Sequence, residues 1–169
     1  IANGANCNHK NNDGKGKGNT PLHVACQLKK GRLEMVKMLI ANGANCNDKN
    51  NAGYTPLHVA CQCKKGRLQI VKVLIANGAN CNHKNNKGNT PLYCAIEKGD
   101  LEIVKMLIAN GANCNHKINK GEGKGNTPLY CAIEKGDLEI VKMLIANGAN
   151  CNHKNNKGKG NTPLYFAIE

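Results

Sequence analysis

The 169-residue chain contains no serine and no tryptophan, a single phenylalanine, and only two arginines, Arg32 and Arg67. Threonine is confined to Thr20, Thr55, Thr90, Thr127 and Thr162, at one fixed place in a recurring pattern. No hydroxyl nucleophile is therefore left outside a structural framework, and no acid, histidine and nucleophile cluster apart from it, so no catalytic residue and no enzymatic activity is expected. Aromatic residues make up 3% of the chain. That excludes a core built on large rings, and it removes the stacking platforms with which proteins hold single-stranded nucleic acid. The net charge of +13 comes almost wholly from lysine, whose ammonium lacks the planar fork that reads phosphates and base edges. A nucleic-acid partner is accordingly not expected, and the lysines are read as keeping a long, thin molecule in solution. No apolar run approaches the roughly 18 residues of a membrane span. Ile1-Ala2-Asn3-Gly4 lacks a basic segment leading into an apolar one, so neither an anchor nor a leader is expected.

What the chain has instead is repetition. Thr-Pro-Leu recurs at Thr20, Thr55, Thr90, Thr127 and Thr162, at intervals of 35, 35, 37 and 35 residues. A second marker, Ile-Ala-Asn-Gly-Ala-Asn-Cys-Asn, begins at Ile1, Ile40, Ile75, Ile108 and Ile145. Periods of this length indicate a solenoid whose units bury their apolar faces only against their neighbours.

Each unit reads as two short helices and a projecting loop. Thr90 is a natural N-cap, and Pro91 follows at the first helical position, where its missing N–H costs nothing. The first helix runs through Glu97, and Lys98-Gly99 turns the chain. Asp100 caps a second helix whose buried stripe is Leu101, Val104, Leu107 and Ile108. Gly111 suits the left-handed position that ends it. The stretch from Asn113 to Asn126, polar, small and glycine-rich, reads as an extended finger resembling a β-hairpin.

Thr20-Pro21-Leu22-His23-Val24-Ala25, followed by the helix of Leu33 to Ile40 and by Gly43-Ala44-Asn45, resembles the ankyrin consensus, and the match recurs along the whole chain. The resemblance implies an all-α repeat fold, an ankyrin solenoid of stacked antiparallel helix pairs with protruding fingers. It also implies a concave partner-binding face made by the first helices and the fingers, no intrinsic catalysis and no cofactor. Residues 1–169 are read as one array with four complete helix pairs beginning at Thr20, Thr55, Thr90 and Thr127, and with partial, uncapped units at both ends.

Departures from the consensus carry information. His23 and His58 match the family's histidine, whereas Tyr93, Tyr130 and Tyr165 replace it, so the hydrogen bond that His supplies must be rearranged in those units. The first two units carry two additional residues between their helices. The fingers differ in length by multiples of two residues, an even increment that keeps every side chain on its original face.

Ten cysteines recur at fixed places in the repeat. Equivalents in stacked helices lie about 8 to 10 Å apart, beyond the roughly 7 Å a disulfide allows. They are read as small buried apolar residues in a reducing compartment, with Cys63 as the exposed exception. Cys-x-His recurs at Cys7/His9, Cys81/His83, Cys114/His116 and Cys151/His153, but each pair supplies two of the four ligands that structural zinc requires. No metal site is expected; each cysteine should pack beneath its finger, with the histidine on the surface.

The expected partner-binding residues are His83, Lys84, Lys87, Tyr93, Glu97, Lys98, His116, Lys117, Lys120, Tyr130, Glu134, His153 and Lys154. Residues 90–117 and 127–154 are identical, exposed positions included. Two readings follow: an intracellular, cytoplasmic scaffold that grips a partner protein, or the subunit of a filament in which copies of the chain stack head to tail, which could be extracellular.

Overall fold

The computed structural model describes residues 6–12, 18–28, 32–63, 67–120 and 124–154. Among them are eight helices and no strands. They are α1 (Pro21–Gln27), α2 (Arg32–Ala41), α3 (Pro56–Gln62), α4 (Leu68–Ala76), α5 (Pro91–Lys98), α6 (Leu101–Ala109), α7 (Pro128–Glu134) and α8 (Leu138–Ala146). Each odd-numbered helix packs on the even-numbered helix that follows it, and on the odd-numbered helices of adjacent units.

The ends of the helices follow from the sequence. Thr55, Thr90 and Thr127 each accept a hydrogen bond from the N–H three residues on, and proline fills the first helical position. Asp100 and Asp137 accept from Ile103 and Ile140 at 3.2 and 3.1 Å, capping α6 and α8. After α6 the Ala112 N–H reaches back to the Leu107 carbonyl at 3.0 Å, a closure that requires the left-handed backbone of Gly111, φ 79°.

One core runs the length of the stack. Leu22, Leu57, Leu92 and Leu129 are buried, as are Ala25, Ala60, Ala95 and Ala132 one turn further on. Alanine there lets the first helices of neighbouring units approach closely, and they meet more extensively than the second helices do. From the stripe expected of α6, Val104 and Leu107 are buried and Leu101 and Ile108 half-buried, and Ile103 joins the buried pair.

Units are also stitched by hydrogen bonds. Asn47 donates through Nδ2 to the Gly78 carbonyl (2.8 Å), and its Oδ1 accepts from the Asn80 N–H (2.9 Å). Asn8, Asn82 and Asn115 repeat the pattern with the units that follow them. The recurrent Gly-Ala-Asn-Cys-Asn is thus a ladder in which one amide satisfies two backbone groups of the next copy.

Candidate partner-binding face

The fingers are loops closed by a pair of backbone hydrogen bonds rather than strand ladders. In the second, Asn50 N–H donates to the Tyr54 carbonyl (2.9 Å) and Gly53 N–H to the Asn50 carbonyl (2.8 Å). Asn85 with Asn89 and Gly88 repeats this in the third. The longer fingers use the same clasp: Asn11 with Asn19 and Gly18, and Ile118 with Asn126 and Gly125. The additional residues therefore lie wholly inside the closed loop.

Histidine couples first helices to the next finger. Thr20 N–H donates to His23 Nδ1 (3.1 Å), and His23 Nε2 lies 2.8 Å from the Tyr54 carbonyl. A carbonyl can only accept, so the ring proton sits on Nε2. His58 repeats the arrangement with Thr55 and the Asn89 carbonyl. In the third unit Tyr93 replaces His, and its hydroxyl pairs instead with the thiol of Cys131, one unit on. The rearrangement expected of the tyrosine units takes this form at Tyr93.

Between the third and fourth fingers lies a cleft of about 310 Å³ lined by Asn82, Lys84, Thr90, Asn113 and His116. Lys84, Lys87, Glu97, Lys98, Lys117, Lys120, Glu134 and Lys154 are exposed on this side of the molecule or at the ends of the first helices, and His83 and His153 are half-buried. Three residues differ from the expectation of a contact surface. Tyr93 and Tyr130 are buried, with the ring of Tyr93 turned toward the next unit. His116, expected on the surface, is 9% exposed, and its Nε2 donates to the Gly88 carbonyl at 2.9 Å. These three hold the face up from beneath. His9 is the Cys-x-His histidine that is fully on the surface.

Burial lowers the pKa of His83, His116 and His153, and a lysine of the preceding finger, Lys49, Lys84 or Lys117, lowers each further. The face therefore carries neutral imidazoles beside charged ammoniums. Beneath the fingers Cys7, Cys46, Cys81 and Cys114 are buried as expected, and Cys151 is half-buried. Cys63 is half-buried as well, its Sγ 3.8 Å from the Cys26 carbonyl. No disulfide joins the described cysteines. Burial pushes the thiols of Cys26, Cys94 and Cys131 up to about 12, which leaves them protonated and unreactive. Among the described residues no three His, Cys, Asp or Glu side chains converge as a metal would require, and no helix is long and apolar enough to cross a membrane.

Helix pairs, histidine-coupled units and clasped fingers together are the architecture implied by the Thr-Pro-Leu-His resemblance. Family profiles described as ankyrin repeats, in three copies and in many copies, match residues 1–85 with 63–118 and residues 94–145 with 131–169. The chain belongs to the ankyrin-repeat family. Ankyrin repeats mediate protein–protein interaction and are typically non-catalytic. A search of the curated proteins gives no match to this chain.

Two features of the ankyrin stack escape a reading of single units. Lys10 and Lys49 occupy the same finger position as Lys84, Lys117 and Lys154, and register alone identifies them as part of the same row. Arg67, at the cap position of α4, is buried and donates to the Gln27 and Leu28 carbonyls at the end of α1. Nothing local to Arg67 announces that partner.

Proposed function

We propose that this ankyrin array is a non-catalytic scaffold whose fingers and first-helix ends seat a partner protein. The observation that carries the reading is the cleft between adjacent fingers, lined by Asn82, Lys84 and Asn113 beside Thr90, the cap of α5. Binding on a rigid face costs little ordering, and the Asn ladder and the finger clasps supply that rigidity. The buried, protonated thiols suit a reducing, cytoplasmic setting.

Photo-crosslinking groups placed singly at Lys84, Lys117 and, on the second-helix side, Lys105 test this reading. Partner adducts at Lys84 and Lys117 with none at Lys105 are expected; adducts chiefly at Lys105 would overturn it. Head-to-tail self-assembly is the competing reading, supported by the identity of residues 90–117 and 127–154. Light scattering that finds one monomeric species at high concentration removes it.

A further inference from the structure

One exposed lysine stands at the same place in each of five successive fingers: Lys10, Lys49, Lys84, Lys117 and Lys154. They are neighbours across the stack, since Lys49 Nζ donates to the Lys84 carbonyl of the next finger at 3.2 Å. On three of the four second helices, by contrast, lysine charge is cancelled locally; in α4 Gln69 stands where the others have glutamate, and Lys72 keeps its charge. Lys37, Lys105 and Lys142 pair with Glu34, Glu102 and Glu139 at 2.9 to 3.0 Å.

Described acids elsewhere do not offset the row. Asp100 and Asp137 cap second helices, and Glu97 and Glu134 lie in the last turn of first helices, away from the finger end. Among the described residues the one acid in a finger is Asp48, which accepts from Asn45 Nδ2 at 3.1 Å. Beside Lys87, Lys120 and Lys124, which do not recur in every copy, the fingers thus carry one file of cations at the period of the repeat.

From this row we infer that the segment seated across the fingers is an extended acidic polypeptide bearing a carboxylate at every third residue. The inference rests on the partner-binding reading above and names the chemistry of its partner. Stacked helical units repeat at about 8 to 10 Å. A polyproline II segment has three residues per turn and rises about 3.1 Å per residue, so every third side chain returns to one side about 9.3 Å on. A β-strand would point alternate members of that series away from the face. Single-stranded nucleic acid also carries regular negative charge, but among the described residues no tyrosine is exposed to stack on its bases, and the guanidinium of Arg67 is buried.

Fluorescence anisotropy with the full chain at low ionic strength tests the inference. The labelled probes are a peptide of five Glu-Pro-Pro units, a peptide of the same composition with its glutamates contiguous, and an oligothymidylate of equal length. The spaced peptide is expected to bind most tightly, with an affinity that falls steeply with salt. The triple variant Lys49→Gln, Lys84→Gln, Lys117→Gln should lose about tenfold, and Lys37→Gln, Lys105→Gln, Lys142→Gln, which removes the same charge, less than about twofold. Equal losses in the two variants, equal or tighter binding of the contiguous peptide, or tighter binding of the oligonucleotide would each overturn the inference. Finger-directed crosslinks to a partner that persist while the spaced peptide fails to bind would leave the scaffold reading standing and remove this one alone.

Discussion

Arg67 donates through Nη1 to the carbonyl of Leu28 at 2.9 Å, so a side chain of the second unit closes the end of the first unit's first helix. Its Nη2 reaches the Gln27 carbonyl at 3.1 Å. The helix that Arg67 begins receives no side-chain cap from it, and Asp100 and Asp137 do that work in the later units. Arg67→Ala leaves two helix-end carbonyls without their charged donor and is expected to cost about 1.5 to 3 kcal/mol. Arg67→Lys should recover less than half, because an ammonium cannot span both carbonyls as the fork does. Urea midpoints of the three proteins check this; a lysine variant as stable as the parent would mean that charge alone suffices.

His58 governs an acid sensitivity. Burial, with the nearby His83 and Lys49 adding to it, holds its pKa down to about 4 from 6.5. Between those values the unfolded chain binds a proton that the folded chain refuses. The contribution of His58 is therefore intact above pH 6.5 and is lost as pH falls toward 4, by up to about 3 kcal/mol. His23, lowered chiefly by burial, acts with the same sign. His58→Tyr installs the residue that the third and fourth units already carry and should flatten the fall of melting temperature across that window. An unchanged acid slope would show that His58 is not its source.

The asparagine ladder sets the coupling between units. Asn82→Ala removes the bond to the Gly111 carbonyl and the one from the Asn113 N–H, both 2.8 Å, and should destabilise by about 1 to 2 kcal/mol. Unfolding should also become less cooperative, since units of a solenoid are held together only through their interfaces. Asn82→Asp keeps the acceptor but not the donor and should fall in between. Hydrogen exchange on either side of the third finger reads the effect, and uniform protection in all three proteins would argue against it.

Gly53 makes a contact that a second glycine isolates. Its φ is 78°, and a Cβ there would lie 2.5 Å from Asn86 Oδ1 and 2.7 Å from the Asn86 backbone nitrogen. At Gly78, φ 81°, a Cβ would meet nothing within 4 Å. Gly78→Ala should cost about 1 to 2 kcal/mol of left-handed strain alone, and Gly53→Ala distinctly more. Equal midpoints for the two would show that the fingers shift apart without penalty.

The helices were legible in the sequence because their boundaries are written locally: a threonine, a proline, an aspartate cap, a glycine past the end. The cysteine positions followed from spacing for the same reason. The candidate face was legible only in part. Cys81 to Lys84 and Cys114 to Lys117 are the same four residues, yet His83 is half-buried and His116 buried. Their difference shows in bonding: His116 Nε2 donates to the Gly88 carbonyl of the preceding finger at 2.9 Å, whereas the buried Nδ1 of His83 has no hydrogen-bond partner. Tyr93 looked available for contact because tyrosine commonly is, but its ring fills the place that histidine occupies in the first two units. Arg67 and the asparagine ladder join residues about 30 to 40 positions apart, a distance at which no local pattern assigns partners.

The clasp at the base of each finger is indifferent to the loop it encloses, closing over three residues between Asn50 and Tyr54 and over seven between Ile118 and Asn126. Reach can therefore be tuned copy by copy while the spine keeps its geometry. A foreign epitope or affinity tag inserted between Ile118 and Asn126 leaves both clasp residues, and every residue of the spine, in place.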